Sequence, residues 1–306
     1  MTLVSELQAI IDAAGIDAGL ALWHLESGER TNINAEELFP MASVFKIPIL
    51  ATAARQLQQG TMNLDTRVTL SDEDKSAGSG ILPFFEAGLN PTVRDLLTLM
   101  IIISDNTATD MTVALLGGCG VVETTMRELG LADIHFKMDC KELLKSLFPP
   151  EVAALPLDEI KAWTNDHDIV RDGLAFSRAD DNNTSSALAM TELVARLFRG
   201  EIVDGALKDE LLDILLKQQY NQRLPRLLPP SVKFAHKTGT IGGICNDSGV
   251  MTIDENNHVV VTLFTLWDDQ AVWQDQEAKY QRVFEVETAM GKIGRCVYLH
   301  YAGASA

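Results

Sequence analysis

A serine hydroxyl placed three residues before a lysine amine can do acyl-transfer chemistry. Ser43-Val44-Phe45-Lys46 has that spacing, at the start of a helical stretch. Positions three apart share a helix face, so the amine can reach the hydroxyl. A serine is a poor nucleophile until a base removes its proton. Lys46 can be that base only if its ammonium form is destabilised, which burial or a second cation achieves. Lys237, in Lys237-Thr238-Gly239, could be that cation. Ser104-Asp105-Asn106 adds a hydroxyl that could relay a proton to a leaving nitrogen and a side chain that could hold a substrate amide. The helix N-terminus offers N–H groups to an oxyanion forming at Ser43, and the N–H of Thr240 could complete that oxyanion hole. Gly239 lets a substrate approach the backbone closely.

Each group also has a plain structural reading. Ser43 could be an N-cap, Ser104 could cap the helix holding Thr107 to Leu116, and Lys237-Thr238-Gly239 could be a strand ending in a turn. All three in this order arise by chance on the order of once in several thousand such chains, which favours the chemical reading of the set. Pro48 falls in the second helical turn, where its missing N–H leaves the Val44 carbonyl unpaired, so a distortion beside the nucleophile is expected. There is no H-E-x-x-H, Walker or G-x-G-x-x-G motif and the six histidines are scattered, so neither a metal nor a cofactor is expected.

The elements that position these groups follow from periodicity. Leu3, Leu7, Ile10, Ile11 and Ala14 form a helical stripe. Leu20 to Leu25 and Arg30 to Ile33 read as strands joined by the turn Glu26-Ser27-Gly28-Glu29. From Met41 to about Tyr220 the period is mostly helical, broken at Gly60, Gly88-Leu89-Asn90-Pro91, Gly117-Gly118 and Gly130. Ser231 to Gly239, Ser248 to Ile253 and Val259 to Trp267 read as strands, with Asp254 to His258 as a hairpin loop. Val283, Val286, Met290, Ile293 and Val297 mark one face of a long closing helix. The expected fold class is therefore α+β, with an antiparallel sheet of about five strands built from both chain ends. Terminal helices cover it, and an all-helical domain is inserted. Residues 1–39 with 226–306 would form the sheet domain, and 40–225 the helical one. Residues 145–185 would be a long loop with one short helix near 157–164. A cleft between two such lobes is a usual place for an active site.

Composition narrows the partners. Across 306 residues, 25 Lys and Arg stand against 43 Asp and Glu, a formal charge of −18. Such a surface repels a nucleic-acid backbone and an anionic membrane. No stretch approaches the ~18 consecutive apolar residues of a bilayer span. Met1 to Glu6 lacks a basic and an apolar leader region, and the four cysteines, Cys119, Cys140, Cys245 and Cys296, are widely spaced. Both features point to a cytoplasmic, reduced protein; an export segment ahead of residue 1 is the alternative. Oligomeric state is not readable from the chain.

The motif set resembles that of the class A β-lactamase and penicillin-binding serine hydrolase superfamily, over most of the chain. Phe39 to Lys46 looks like the nucleophile segment of that family. Asn90 to Leu97 with Ile103 to Thr107 looks like its helix before and through S-D-N, and Asn183 to Ala187 like the start of the helix after its Ω-loop. The resemblance implies Ser43 as acylated nucleophile, Lys46 as its base, Ser104 as proton relay and Asn106 as a substrate contact. It implies Lys237 and Thr238 as the anchor for a substrate carboxylate, and the backbone N–H groups of Ser43 and Thr240 as the oxyanion hole. The implied partner is a small molecule with a carbonyl and a carboxylate, and the implied reaction is an acyl-enzyme formed on an amide, β-lactam or ester. A cytoplasmic amidase or esterase, or a non-catalytic penicillin-recognising protein, are alternatives on the same fold. One signature departs. The family carries E-x-x-L-N in its Ω-loop, where the Glu activates the deacylating water. Here Glu142 is the candidate, but Lys145 and Ser146 replace Leu and Asn, and Cys140 stands where an Arg usually bridges the loop. Residues 141–147 read equally well as an amphipathic helix with Glu142 on its solvated face.

Overall fold

Thr2 starts the first helix, its hydroxyl accepting the Ser5 N–H, and Gly15 ends it in the left-handed region. This is α1 (Leu3–Ala14), in a computed structural model that describes residues 2–303 apart from Pro156, Asn165 and Trp273. The chain then runs through β1 (Asp17–His24), β2 (Arg30–Ile33) and the short β3 (Leu38–Pro40). A 3₁₀ turn over Ala42–Phe45 leads into α2 (Lys46–Gln58). The helical middle follows as α3 (Val93–Ile102), α4 (Asn106–Leu116), α5 (Cys119–Glu128), α6 (Cys140–Lys145), α7 (Pro150–Ala153) and α8 (Leu157–Trp163). After β4 (Thr184–Ser186) come α9 (Ala187–Arg199) and α10 (Gly205–Leu216). The chain closes with β5 (Lys233–Ile241), β6 (Ile244–Asp254), β7 (Asn257–Leu266) and α11 (Gln276–Tyr301).

One antiparallel sheet, in the order β2-β1-β7-β6-β5, joins the two chain ends. Leu20 of β1 sits opposite both Ile33 of β2 and Leu263 of β7. Side chains alternate between two cores. Leu20, Leu22, Val261 and Leu263 pack with Leu7 and Ile11 of α1 and Met290 and Ile293 of α11. Ala21, Val260 and Phe264 face the helical middle and pack with Phe39, Phe45 and Leu193. Both faces are covered, so β1 and β7 are buried along nearly their whole length instead of alternating with solvent. No helix among the described residues is long and apolar enough to cross a membrane.

Element edges differ from the sequence expectation for local reasons. β1 begins at Asp17, before the apolar run, because Asp17 already pairs with Leu266. The loop predicted over Asp254 to His258 shrinks to two residues, since Asp254 pairs with Asn257. β6 starts at Ile244, directly after the turn at Gly242-Gly243. β3 and β4 pair over three residues, too short to leave a periodic signal. The stretch 145–185 holds α8 where a short helix was expected near 157–164, and adds α7 and a 3₁₀ turn over Leu174–Phe176. Pro48 proves to lie in the first turn of α2, where its missing N–H leaves no intrahelical bond unmade. The expected distortion is the 3₁₀ turn before it.

Candidate active site

Met41 and Ala42 lead the chain into the site from β3, with Ala42 at φ 44°, a conformation costly for a residue with a Cβ. The 3₁₀ turn then carries Ser43, and Lys46 opens α2 fully buried. The Lys46 Nζ lies 3.1 Å from Ser43 Oγ, 2.8 Å from Ser104 Oγ, 2.9 Å from the Ser104 carbonyl and 2.9 Å from Asn106 Oδ1. Two of these partners are carbonyl oxygens, which only accept. A neutral amine has two N–H donors for them and one lone pair left to face the hydroxyls of Ser43 and Ser104. Burial is the main cause pushing the Lys46 ammonium below its ordinary range; Cys140, Asp110 and Asp105 pull the other way.

Ser104 is placed by a turn between α3 and α4, where it takes φ 59°. Asp105 secures that turn. Its carboxylate accepts the N–H groups of Ile81 at 2.7 Å and Leu82 at 2.9 Å, and caps α4 through Ala108 at 2.9 Å. Asn106 donates from Nδ2 to the Ala77 carbonyl at 2.8 Å, so the loop before Ile81 is drawn over the site.

The third wall is β5. A Cβ on Gly239 would stand 2.6 Å from the Met41 carbonyl and 3.0 Å from Ser43 N. Only glycine lets the strand edge lie against the nucleophile turn. Asn246, opposite Gly239 on β6, fastens the same junction by donating to the Pro40 and Met41 carbonyls at 2.8 and 3.0 Å. Lys237 is fully buried and donates to the Thr238 carbonyl at 2.6 Å. Its ammonium is pushed well below the ordinary lysine range, first by burial and then by the charges of Lys46 and Arg223. Of the two causes the sequence offers for Lys46, burial is the main one, and Lys237 takes the repulsion.

Arg223, which carries no sequence motif, completes this wall. It donates from Nη1 to the Gly239 and Asn246 carbonyls, each at 2.7 Å, and from Nη2 to Thr240 Oγ1. Behind β5, His236 Nδ1 and Asp247 Oδ1 form a buried pair at 2.8 Å, and Asp247 Oδ2 accepts the Leu224 N–H at 3.3 Å. That bond fixes the segment bearing Arg223.

The site thus unites Ser43, Lys46, Ser104 and Asn106, with Gly239 abutting the nucleophile turn and Lys237, Thr238 and Thr240 on the same strand. Glu142 does not join them. It is exposed and closes a capping box on α6: its N–H donates to Asp139 Oδ1 at 2.8 Å, and its carboxylate accepts the Asp139 N–H at 3.2 Å. This is the solvated-face reading of that helix. α6 buries Cys140 and Leu143 instead; burial pushes the Cys140 thiol well above its ordinary range, while Lys46 pulls it down.

A model of the beta-lactamase enzyme family matches residues 2–301. The chain belongs to that family. It is 28% identical over 219 residues to Beta-lactamase L2 of Stenotrophomonas maltophilia, covering 72% of this chain and 62% of that protein's length. A beta-lactamase of Sphaerobacter thermophilus DSM 20745 superposes with a TM-score of 0.76 at 25% identity, covering 99% of both chains. An ancestral class A beta-lactamase shares the fold at a TM-score of 0.78 and 23% identity, covering 98% of this chain and all of that one. The five-stranded antiparallel sheet with its flanking helices is thus the class A β-lactamase-like serine hydrolase fold.

Proposed function

We propose that this β-lactamase family member opens β-lactams through a covalent acyl-enzyme on Ser43. The observation that carries the reading is the Lys46 amine, fully buried and within hydrogen-bond reach of both the Ser43 and Ser104 hydroxyls. Lys46 takes the Ser43 proton through its lone pair, and Ser43 Oγ attacks the lactam carbonyl. The N–H groups of Ser43 and Thr240 receive the oxyanion. The C–N bond breaks as Ser104 Oγ delivers a proton to the leaving nitrogen, with Lys46 returning the proton it accepted. Lys237, Thr238 and Arg223 hold the substrate carboxylate, and the second amide hydrogen of Asn106 is left for the substrate.

A second reading concerns the hydrolytic half. The two carboxylates that act on Lys46, Asp105 and Asp110, have both oxygens of each engaged by N–H or hydroxyl donors. Cys140 presents a neutral thiol, and Glu142 is spent on its cap. Acylation is therefore supported more fully than water activation, and the adduct should outlive its formation.

Intact-mass measurement after mixing with penicillin, beside nitrocefin turnover, tests both readings. An adduct on the native protein and none on Ser43→Ala supports the acyl-enzyme. An adduct on Ser43→Ala sinks it. Rapid turnover of amides or esters with no reaction toward lactams would assign the site to those substrates instead.

A further inference from the structure

Asp110 is a buried carboxylate that no step above uses. It lies on α4 one turn beyond Asn106, on the same face. Its Oδ2 accepts the Ser76 hydroxyl at 2.6 Å and the Lys141 N–H at 3.3 Å, and its Oδ1 accepts the Cys140 N–H at 2.7 Å. One side chain thus ties α4 to the start of α6 and to the loop that begins at Ser76. That loop goes on to hold Asn106, through the Ala77 carbonyl to its Nδ2 and the Ser79 carbonyl to its backbone N–H. Asn106 Oδ1 in turn takes a hydrogen of Lys46.

We propose that Asp110 is a positioning residue for acylation: it clamps three segments around Asn106 and Lys46 and sets a buried negative charge within reach of the amine. This rests on Lys46 being the base for Ser43. Both Asp110 oxygens accept backbone N–H groups, which can only donate, and that favours the charged carboxylate. Burial works against it, holding the carboxyl above its ordinary range, and Asp139 adds to that rise. The titratable groups acting on Lys46 are Asp110, Asp105 and Cys140, with Lys237 also facing it; Cys119 on α5 lies within reach of Asp110. A negative Asp110 favours the Lys46 ammonium. Removing the charge leaves the amine neutral at lower pH.

The test is the pH profile of Ser43 acylation by a fluorescent penicillin, with the adduct read by intact mass. Asp110→Asn keeps the shape and removes the charge. Its acidic limb should move to lower pH by roughly half to one unit, whereas Asp110→Glu should keep the native midpoint. Ser76→Ala makes the carboxylate easier to protonate, so it should shift the midpoint the same way by less. It serves as the deciding variant if Asp110→Asn does not fold. A native protein that acylates, with unmoved midpoints in Asp110→Asn and Ser76→Ala, overturns the role of Asp110 alone, even if those variants melt earlier. A native protein that takes no adduct at any pH overturns the acyl-enzyme reading together with it.

Discussion

The nucleophile wall and the α6–α8 segment are built differently. Around Lys46 the polar partners converge on one buried amine: two carbonyls, two hydroxyls, and a carboxylate pinning the S-D-N turn. In the α6–α8 segment, helices of six, four and seven residues follow one another, and Glu142 is exposed. A short helix carries too few hydrogen bonds to hold itself and depends on its caps. Glu142, the carboxylate the sequence offers for chemistry there, is used for capping. The contrast teaches that a side chain's task is set by its nearest partners: Lys46 is turned to the hydroxyls of Ser43 and Ser104, whereas the Glu142 carboxylate is held by the cap of α6.

That contrast can be broken from either side. The largest effect is expected from Lys46→Ala, which removes the proton acceptor and should slow adduct formation by about 10² to 10⁴-fold; an adduct rate within a factor of three of native would refute the wall's assigned role. Next is Arg223→Ala. It strips the donor from two buried carbonyls, so a loss of about 2–3 kcal/mol in urea denaturation is expected. A raised KM for carboxylate-bearing lactams should accompany it. An unchanged KM would remove Arg223 from substrate binding.

A smaller but sharper effect concerns pH. Lys46 must be neutral to act, and burial lowers its proton affinity in the folded protein. The acylation rate should therefore climb with pH and level off below the ordinary lysine value of 10.5, a midpoint readable from stopped-flow traces. The smallest is Glu142→Gln, expected to leave acylation and deacylation within about twofold and to cost the cap roughly 1 kcal/mol or less. A persistent adduct appearing only in this variant would return Glu142 to the chemistry.

Much of the reactive half was legible in the chain, because its chemistry is local. Ser43 and Lys46 sit three apart, and Ser104 and Asn106 flank one aspartate, so spacing alone proposes their partnership. The sheet was legible where its strands are apolar, in β1, β7 and the second half of β6, whereas the polar start of β6 around Asn246 and Asp247 gave no strand signal. Arg223 was not, since its value comes from the Gly239 and Asn246 carbonyls, more than a dozen residues away in sequence. Asp110 left a fainter trace: an acidic residue four places after Asn106 on an otherwise buried helix. Glu142 misled for the opposite reason. Sequence distance put it near the right place, but the carboxylate's nearest donor was its own helix end.

The contact at Gly239 has a consequence for how the enzyme fails. Main chain meets main chain there, with no side chain between to absorb a shift. The outer strand and the turn that bears the reactive hydroxyl therefore cannot loosen separately. Inactivation by heat or urea should coincide with global melting instead of preceding it, unlike sites built on mobile loops that lose function while the rest of the protein survives.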